Sequence, residues 1–294
     1  LADSVSLDNL VRDIQPDYFI NFAAQSFVGC SWDIPLQTFD VNATGVARCL
    51  EAIRRFKPTC RFYSAGSSEE FGDVAYTPQD IKHPIRPRSP YGASKAAARH
   101  LVKVYRESYN LYAVHGLLFN HEGTKRGPEF VTRKISLGVA KIYKALETGQ
   151  KVQPIELGNL DAEKNWKDTE EIVVEVWILL NKAQAKDYVL SSNETHSIRE
   201  FIEEAFKCIG MGSNETFWKG EGLDEEFYFK DASSVPTAII KTKLVTINKA
   251  FYRPAEVELL LGDSNEARSE LGWNPKTSFS QLVKKMVHHD LSQI

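Results

Sequence analysis

Apolar positions in the first half of the chain fall into short unbroken runs that alternate with longer stretches at helical spacing. Asp17–Ala24 is a compact apolar run after Pro16, the pattern of a parallel strand buried on both faces. Leu36–Phe56 carries apolar residues with a helical period and stops before Pro58. Arg61–Ser64 reads as a second strand and runs into the loop Ala65–Gly72. A connection containing Pro78, Pro84, Pro87 and Pro90 leads to a long helix over Tyr91–Tyr109. A strand at Ala113–Phe119, a loop at Asn120–Pro128 and a helix at Phe130–Leu146 follow. Past Lys151 the elements shorten: strands at Ile155–Leu157 and Tyr188–Ser191, and helices at Glu170–Lys182, Ser197–Ile209, Ser264–Leu271 and Ser278–His289. Ser197 and Glu200 match a capping box, and Lys219–Lys243 is a polar stretch assigned no element. Strands alternating with helices predict an α/β fold with a doubly wound, Rossmann-like parallel sheet. The expected division is a core over residues 1–150 and a smaller lobe, interleaved with it, over 151–294.

Composition narrows the function classes. Hydrophobic residues make up 43% of the chain and charged residues 26%, with no apolar run of membrane-spanning length. Leu1–Asp8 is polar from its third residue and lacks the basic-then-apolar order of a signal peptide, so a cytoplasmic location is expected. With a net charge of −3 and scattered basic residues, no stripe tracks a nucleic-acid backbone. Cys30, Cys49, Cys60 and Cys208 form no CxxC pair and have no metal-ligand spacing, so buried reduced thiols and no metal site are expected.

The strongest chemical signal is Ser89-Pro-Tyr-Gly-Ala-Ser-Lys95, a Tyr-x-x-x-Lys pair opening a helix. Residues four apart share a helix face, so the ammonium sits near the phenol and favours its ionised form. That lets a tyrosine act as a base near neutrality. By itself such a pair more often lies on a solvated face. Upstream, however, Gly66-Ser67-Ser68-Glu69 offers a hydroxyl and a carboxylate at the end of a strand, where parallel sheets carry their chemistry. A hydroxyl donor, a Tyr–Lys base and a separate carboxylate are the parts needed to take a hydride and two protons from a sugar. Paired acids in a loop are often merely solvated, and Glu70 is given no role.

Phe62–Gly72 together with Pro87–Lys95 resembles the active-site blocks of extended short-chain dehydrogenase/reductases that dehydrate nucleotide sugars. Within these, the blocks Phe119–Glu122, Lys125–Gly127, Phe130–Ile135, Leu157–Ala162, Tyr252–Val257 and Leu261–Asp263 are similar to the GDP-mannose 4,6-dehydratase family, and the resemblance runs to about Asp290. It implies an NADP-dependent lyase that converts GDP-mannose to GDP-4-keto-6-deoxymannose by internal hydride transfer. Ser67, Glu69, Tyr91 and Lys95 match the catalytic positions. Phe22, Ala23, Ala24, Gln25, Ser26, Lys95, His121 and Arg126 match cofactor contacts, Arg126 from a loop reaching a neighbouring subunit of a homo-oligomer, a dimer or tetramer. Asn120, Val131, Lys134, Lys164, Arg253 and Glu256 match contacts to the GDP-sugar, which the C-terminal lobe is expected to bind. Arg253 suits a diphosphate, which a guanidinium grips bidentately. No membrane or nucleic-acid partner is implied.

Three departures from the family pattern stand out. No Gly-x-x-Gly-x-x-Gly turn occurs, so the glycine-rich segment for the pyrophosphate is expected to be missing, which would leave apolar surface beside the Asp17–Ala24 strand. Lys164 stands where the family has an arginine, and Gln37 where it has a tyrosine. Dehydration of another GDP-sugar such as a GDP-heptose, a 4-keto-sugar reductase or epimerase, and a truncated non-catalytic homologue are the alternatives.

Overall fold

The computed structural model describes residues 1–230, 241–251 and 259–294, which divide into two compact units interleaved along the chain. The first comprises Leu1–His121, Asn165–Thr195 and Leu259–Pro275; the second comprises Glu122–Lys164, His196–Glu258 and Lys276–Ile294.

In the first unit, strands β1 (Tyr18–Asn21), β2 (Arg61–Ala65), β3 (Ala113–Leu118) and Tyr188–Leu190 lie side by side in that order. All three pairings are parallel, with Tyr18 opposite Arg61, Phe62 opposite Ala113 and Gly116 opposite Tyr188. Successive strand side chains point to opposite faces, and here they enter two different cores. Phe62 and Ala113 pack with Leu7 and Val11 of helix α1 (Ser4–Ile14), with Cys49, Leu50 and Ile53, and with Ala98 and Val102. Tyr63 and Val114 pack on the other face with Ile172, Val176 and Leu179 of the helix Thr169–Leu180 and Ala267 of the helix Asn265–Leu271. Helices on both faces of a parallel sheet make this the doubly wound α/β fold expected. Each large apolar side chain removed from water in these layers contributes about 1.5–3 kcal/mol.

Local departures have identifiable causes. Helix α1 went unread, yet Asp3 caps it by accepting from the backbone N–H groups of Val5 and Ser6. The expected Leu36–Phe56 helix is α2 (Pro35–Phe39) and α3 (Gly45–Phe56) joined by a π-helical turn over Asp40–Thr44. β1 is parallel as expected but not buried on both faces: it ends the strand order, and Ile20 is 41% exposed. Phe22, just beyond it, is 44% exposed. Cys49 and Cys60 are buried, whereas Cys30 and Cys208 are only partly so, and all four are free thiols.

The second unit holds a four-stranded sheet ordered Thr216–Lys219, Glu226–Lys230, Lys241–Ile247, Ile155–Leu157. Its first two pairings are antiparallel and its last is parallel. Part of this sheet lies in the polar stretch that was assigned no element. Helices Val131–Thr148, Ile198–Lys207 and Phe279–Leu291 pack on one another. The capping box of Ser197 and Glu200 is present. Asp290 is fully buried, pairing with Arg133 at 2.8 Å and accepting from Ser136 at 2.6 Å. Among the described residues, no helix is long and apolar enough to cross a membrane, and no cluster of His, Cys, Asp and Glu could hold a metal ion.

Candidate functional site

The four residues expected to carry the chemistry lie together in the first unit, where the carboxyl end of β2 meets helix α4 (Pro90–Tyr109). Ser89 caps α4 by accepting from Gly92 N–H at 2.9 Å, and Pro90 takes the first helical position, where its missing N–H costs nothing. Tyr91 and Lys95 are thereby set one turn apart and are both buried. The Lys95 Nζ donates to the carbonyl of Ala65 at 2.7 Å and lies 5.8 Å from the centre of the Tyr91 ring. Burial lowers the lysine from its ordinary value to about 8, and the Glu70 carboxylate opposes that fall.

From Ala65 the chain passes through Gly66 into a short 3-10 turn, Ser68–Glu70. Ser67 is its N-cap: the hydroxyl accepts from Glu69 N–H at 3.2 Å, and Ser67 N–H donates to Glu70 Oε1 at 2.8 Å. Glu69 is half-buried, and its backbone carbonyl runs so close to Gly92 that a Cβ there would lie only 2.5 Å away. Gly66 is required for a similar reason. A Cβ on it would collide with His115 Nε2 and come within 2.8 Å of Glu70 Oε1. Gly66→Ala is expected to lower stability by about 1–3 kcal/mol, the usual cost of overpacking, read as a reduced denaturant midpoint.

The Phe22–Ser26 segment follows the neighbouring strand β1 and is tied to α4 through the π turn. Asn42, buried on that turn, accepts from Gln25 N–H at 2.8 Å. Its amide group donates to the Gln25 carbonyl at 3.0 Å and to Ser94 Oγ at 3.1 Å. Ser94 in turn donates to the Tyr91 carbonyl at 2.7 Å, and Gln25 Nε2 donates to Thr38 Oγ1 at 3.0 Å. Phe22, Ala23 and Ser26 are exposed, Ala24 and Gln25 half-buried. Sequence reasoning missed Asn42, Thr38 and Ser94. The one available signal was a polar amide inside an apolar helical run, which tends to mark local competition with the helix.

His121 and Asn120 follow β3 in the same unit; His121 Nδ1 lies 3.0 Å from the Phe119 carbonyl, and Asn120 Oδ1 is buried without a hydrogen-bond partner among the described residues. Arg126, Val131, Lys134 and Lys164 belong to the second unit. There Arg126 pairs with Glu122 at 3.1 Å and stacks 3.5 Å over the Phe130 ring, while Lys134 sits 3.4 Å over Phe251 and is lowered by burial. Val131 is half-buried and Lys164 buried. Arg253 and Glu256 lie outside the described residues.

The family model for GDP-mannose 4,6 dehydratase matches residues 1–286. A GDP-mannose 4,6 dehydratase of Drosophila melanogaster is 42% identical over 293 residues, covering 99% of this chain and 70% of that protein. One of Homo sapiens is 40% identical over 297 residues, covering 99% and 74%. Among solved structures, RMD from Pseudomonas aeruginosa complexed with NADPH superposes with a TM-score of 0.79 at 21% identity, over 100% of this chain and 87% of that one, a likeness of fold. With the family model spanning nearly its whole length and relatives at this identity, the chain belongs to the GDP-mannose 4,6-dehydratase family.

Proposed function

We propose that the protein dehydrates GDP-mannose to GDP-4-keto-6-deoxymannose with NADP. The observation that carries the reading is a carboxylate residue, Glu69, in the turn packed against the helix of the Tyr91–Lys95 pair. A reductase or epimerase needs the hydroxyl and the Tyr–Lys pair but no acid there.

The first unit suits the nicotinamide end of a dinucleotide: the buried Lys95 ammonium uses one proton on Ala65, which leaves donors for a ribose. Lys95 and the Phe22–Ser26 segment are the residues assigned to hold it. NADP+, when bound, supplies the acceptor for the hydride at C4 and the donor that returns it to C6. Tyr91, its phenolate favoured by Lys95, takes the proton of the sugar 4-hydroxyl, while Ser67 donates a hydrogen bond to the oxygen becoming a ketone. The ketone acidifies C5, whose proton passes to Glu69. Glu69 hands that proton to the departing C6 hydroxyl, which leaves as water. The proton held by Tyr91 then completes C5, so protons and electrons balance with no net oxidation.

Asn120, Val131, Lys134, Lys164, Arg253 and Glu256 are assigned to the GDP-sugar, and a cytoplasmic homo-oligomer in which Arg126 reaches a neighbouring subunit's cofactor completes the reading. Incubation of the protein with GDP-mannose and NADP+ is expected to yield the 4-keto-6-deoxy product with no accumulation of reduced cofactor. Reduction of a 4-keto sugar without any dehydration would assign the site to the reductases instead.

A further inference from the structure

Of the two acids in the Ser68–Glu70 turn, Glu70 takes no part in the chemistry proposed. The sequence assigns it no role, yet its side chain is fully buried. Its Oε1 accepts from Ser67 N–H and lies 2.8 Å from Nε2 of His115, itself fully buried on β3. Glu70 Oε2 and His115 Nδ1 are both buried without a hydrogen-bond partner among the described residues. Glu70 completes a capping box at the start of the turn through the Ser67 N–H, but that contact uses only one carboxylate oxygen, and burying a carboxylate with the other unserved is costly. The room for the pair is built in: a side chain on Gly66 would strike both partners. The groups facing Glu70 are Lys95 from α4, within electrostatic reach, and His115 from β3. Asp187 holds the His115 backbone N–H at 2.9 Å and is itself paired with Arg106 at 2.7 Å.

We infer that Glu70, oriented by His115, is a positioning residue of the reaction: it fixes the backbone that carries Ser67 and Glu69, and it sets a buried negative charge beside Lys95. This rests on the assignment of Tyr91 and Lys95 to proton transfer. Loss of the charge removes an attraction that opposes the burial drawing the lysine down to about 8.

Glu70→Gln keeps an oxygen for Ser67 N–H and removes the charge. The expected result is a near-wild-type KM with the alkaline limb of kcat moved down by about one pH unit, hence about tenfold slower turnover above it. Glu70→Asp, which retains the charge, is expected to restore the limb. If Glu70→Gln folds poorly, Glu70→Leu replaces the buried charge with an apolar group of similar size and is expected to give the same shift. Titration of Lys95 followed by 15N NMR of its Nζ needs no turnover and should move in the same direction in both neutral variants. An unmoved limb and an unmoved Lys95 titration overturn the inference, even if kcat falls uniformly. A wild type inactive on GDP-mannose overturns the substrate assignment instead and leaves the Lys95 titration to decide the role of Glu70.

Discussion

Glu69→Gln is expected to lower dehydration of GDP-mannose about a thousandfold, within the range seen when a positioned acid–base group is removed, while hydride still leaves C4. The two effects separate because they depend on different residues. Ser67, Tyr91 and Lys95 are assigned to oxidation at C4, and two of these are held without the Glu69 carboxylate: the Ser67 hydroxyl accepts from the backbone of residue 69, and Lys95 is anchored on the Ala65 carbonyl. Glutamine preserves that backbone and the volume of the side chain, but it cannot take the C5 proton or pass one to the leaving hydroxyl. Isotope placed at C4 should therefore still reach the cofactor while water loss stalls. Unchanged dehydration would refute the role given to Glu69, and loss of both steps would mark the residue as structural.

The readable parts of this site are those written within a few residues of one another. Ser67 and Glu69 sit two apart in one loop, and Tyr91 and Lys95 four apart at a capped helix start, so spacing alone aligns them. The parts missed are joined across the chain: Glu70 to His115 over 45 residues, and Asn42 to Gln25 and Ser94 over 17 and 52. No local pattern separates a buried Glu70 from a solvated one. Its fate is decided by which strand lies beside β2, a property of the folded sheet.

The fold divided along the same line. β2 and β3 were legible as apolar runs because a doubly covered sheet buries both sides of its inner strands, and β1, though last in the order, carries the apolar run Tyr18–Ile20. In the second unit the strands Thr216–Lys219 and Glu226–Lys230 carry Lys219, Glu226 and Lys230 among their aromatics, and those charges hid the alternation. Phe217 stacks on Tyr228 at 5.5 Å while Phe227 faces Phe206, so the sheet's two sides are defined by aromatic pairs rather than by a clean apolar–polar rhythm. Helix α1 was missed although Leu7, Leu10, Val11 and Ile14 fall at helical spacing; it buries only Leu7 and Val11 and leaves Val5, Leu10 and Ile14 exposed.

Lys95→Met is expected to reduce kcat by about a thousandfold at neutral pH without destabilising the fold. Methionine fills nearly the same space but removes the cation that favours the Tyr91 phenolate. The pH dependence makes this separable from a structural effect, because rate and stability respond to the lysine in opposite senses. In the folded, cofactor-free protein the ammonium loses its proton at about 8, against about 10.4 in an unfolded chain. Between those values the unfolded state binds more protons, so stability rises with pH as the lysine's burial penalty is relieved; below about 8 that penalty is present in full. Activity instead needs the ammonium and should fall as pH rises through the same region. Lys95→Met, already neutral, should lose this lysine-linked rise in stability and equal or exceed the wild type in melting temperature near pH 7, since replacing a buried charge with an apolar group is often neutral or stabilising. A variant that melts lower at neutral pH yet keeps its rate would reverse both signs and leave Lys95 as a packing residue.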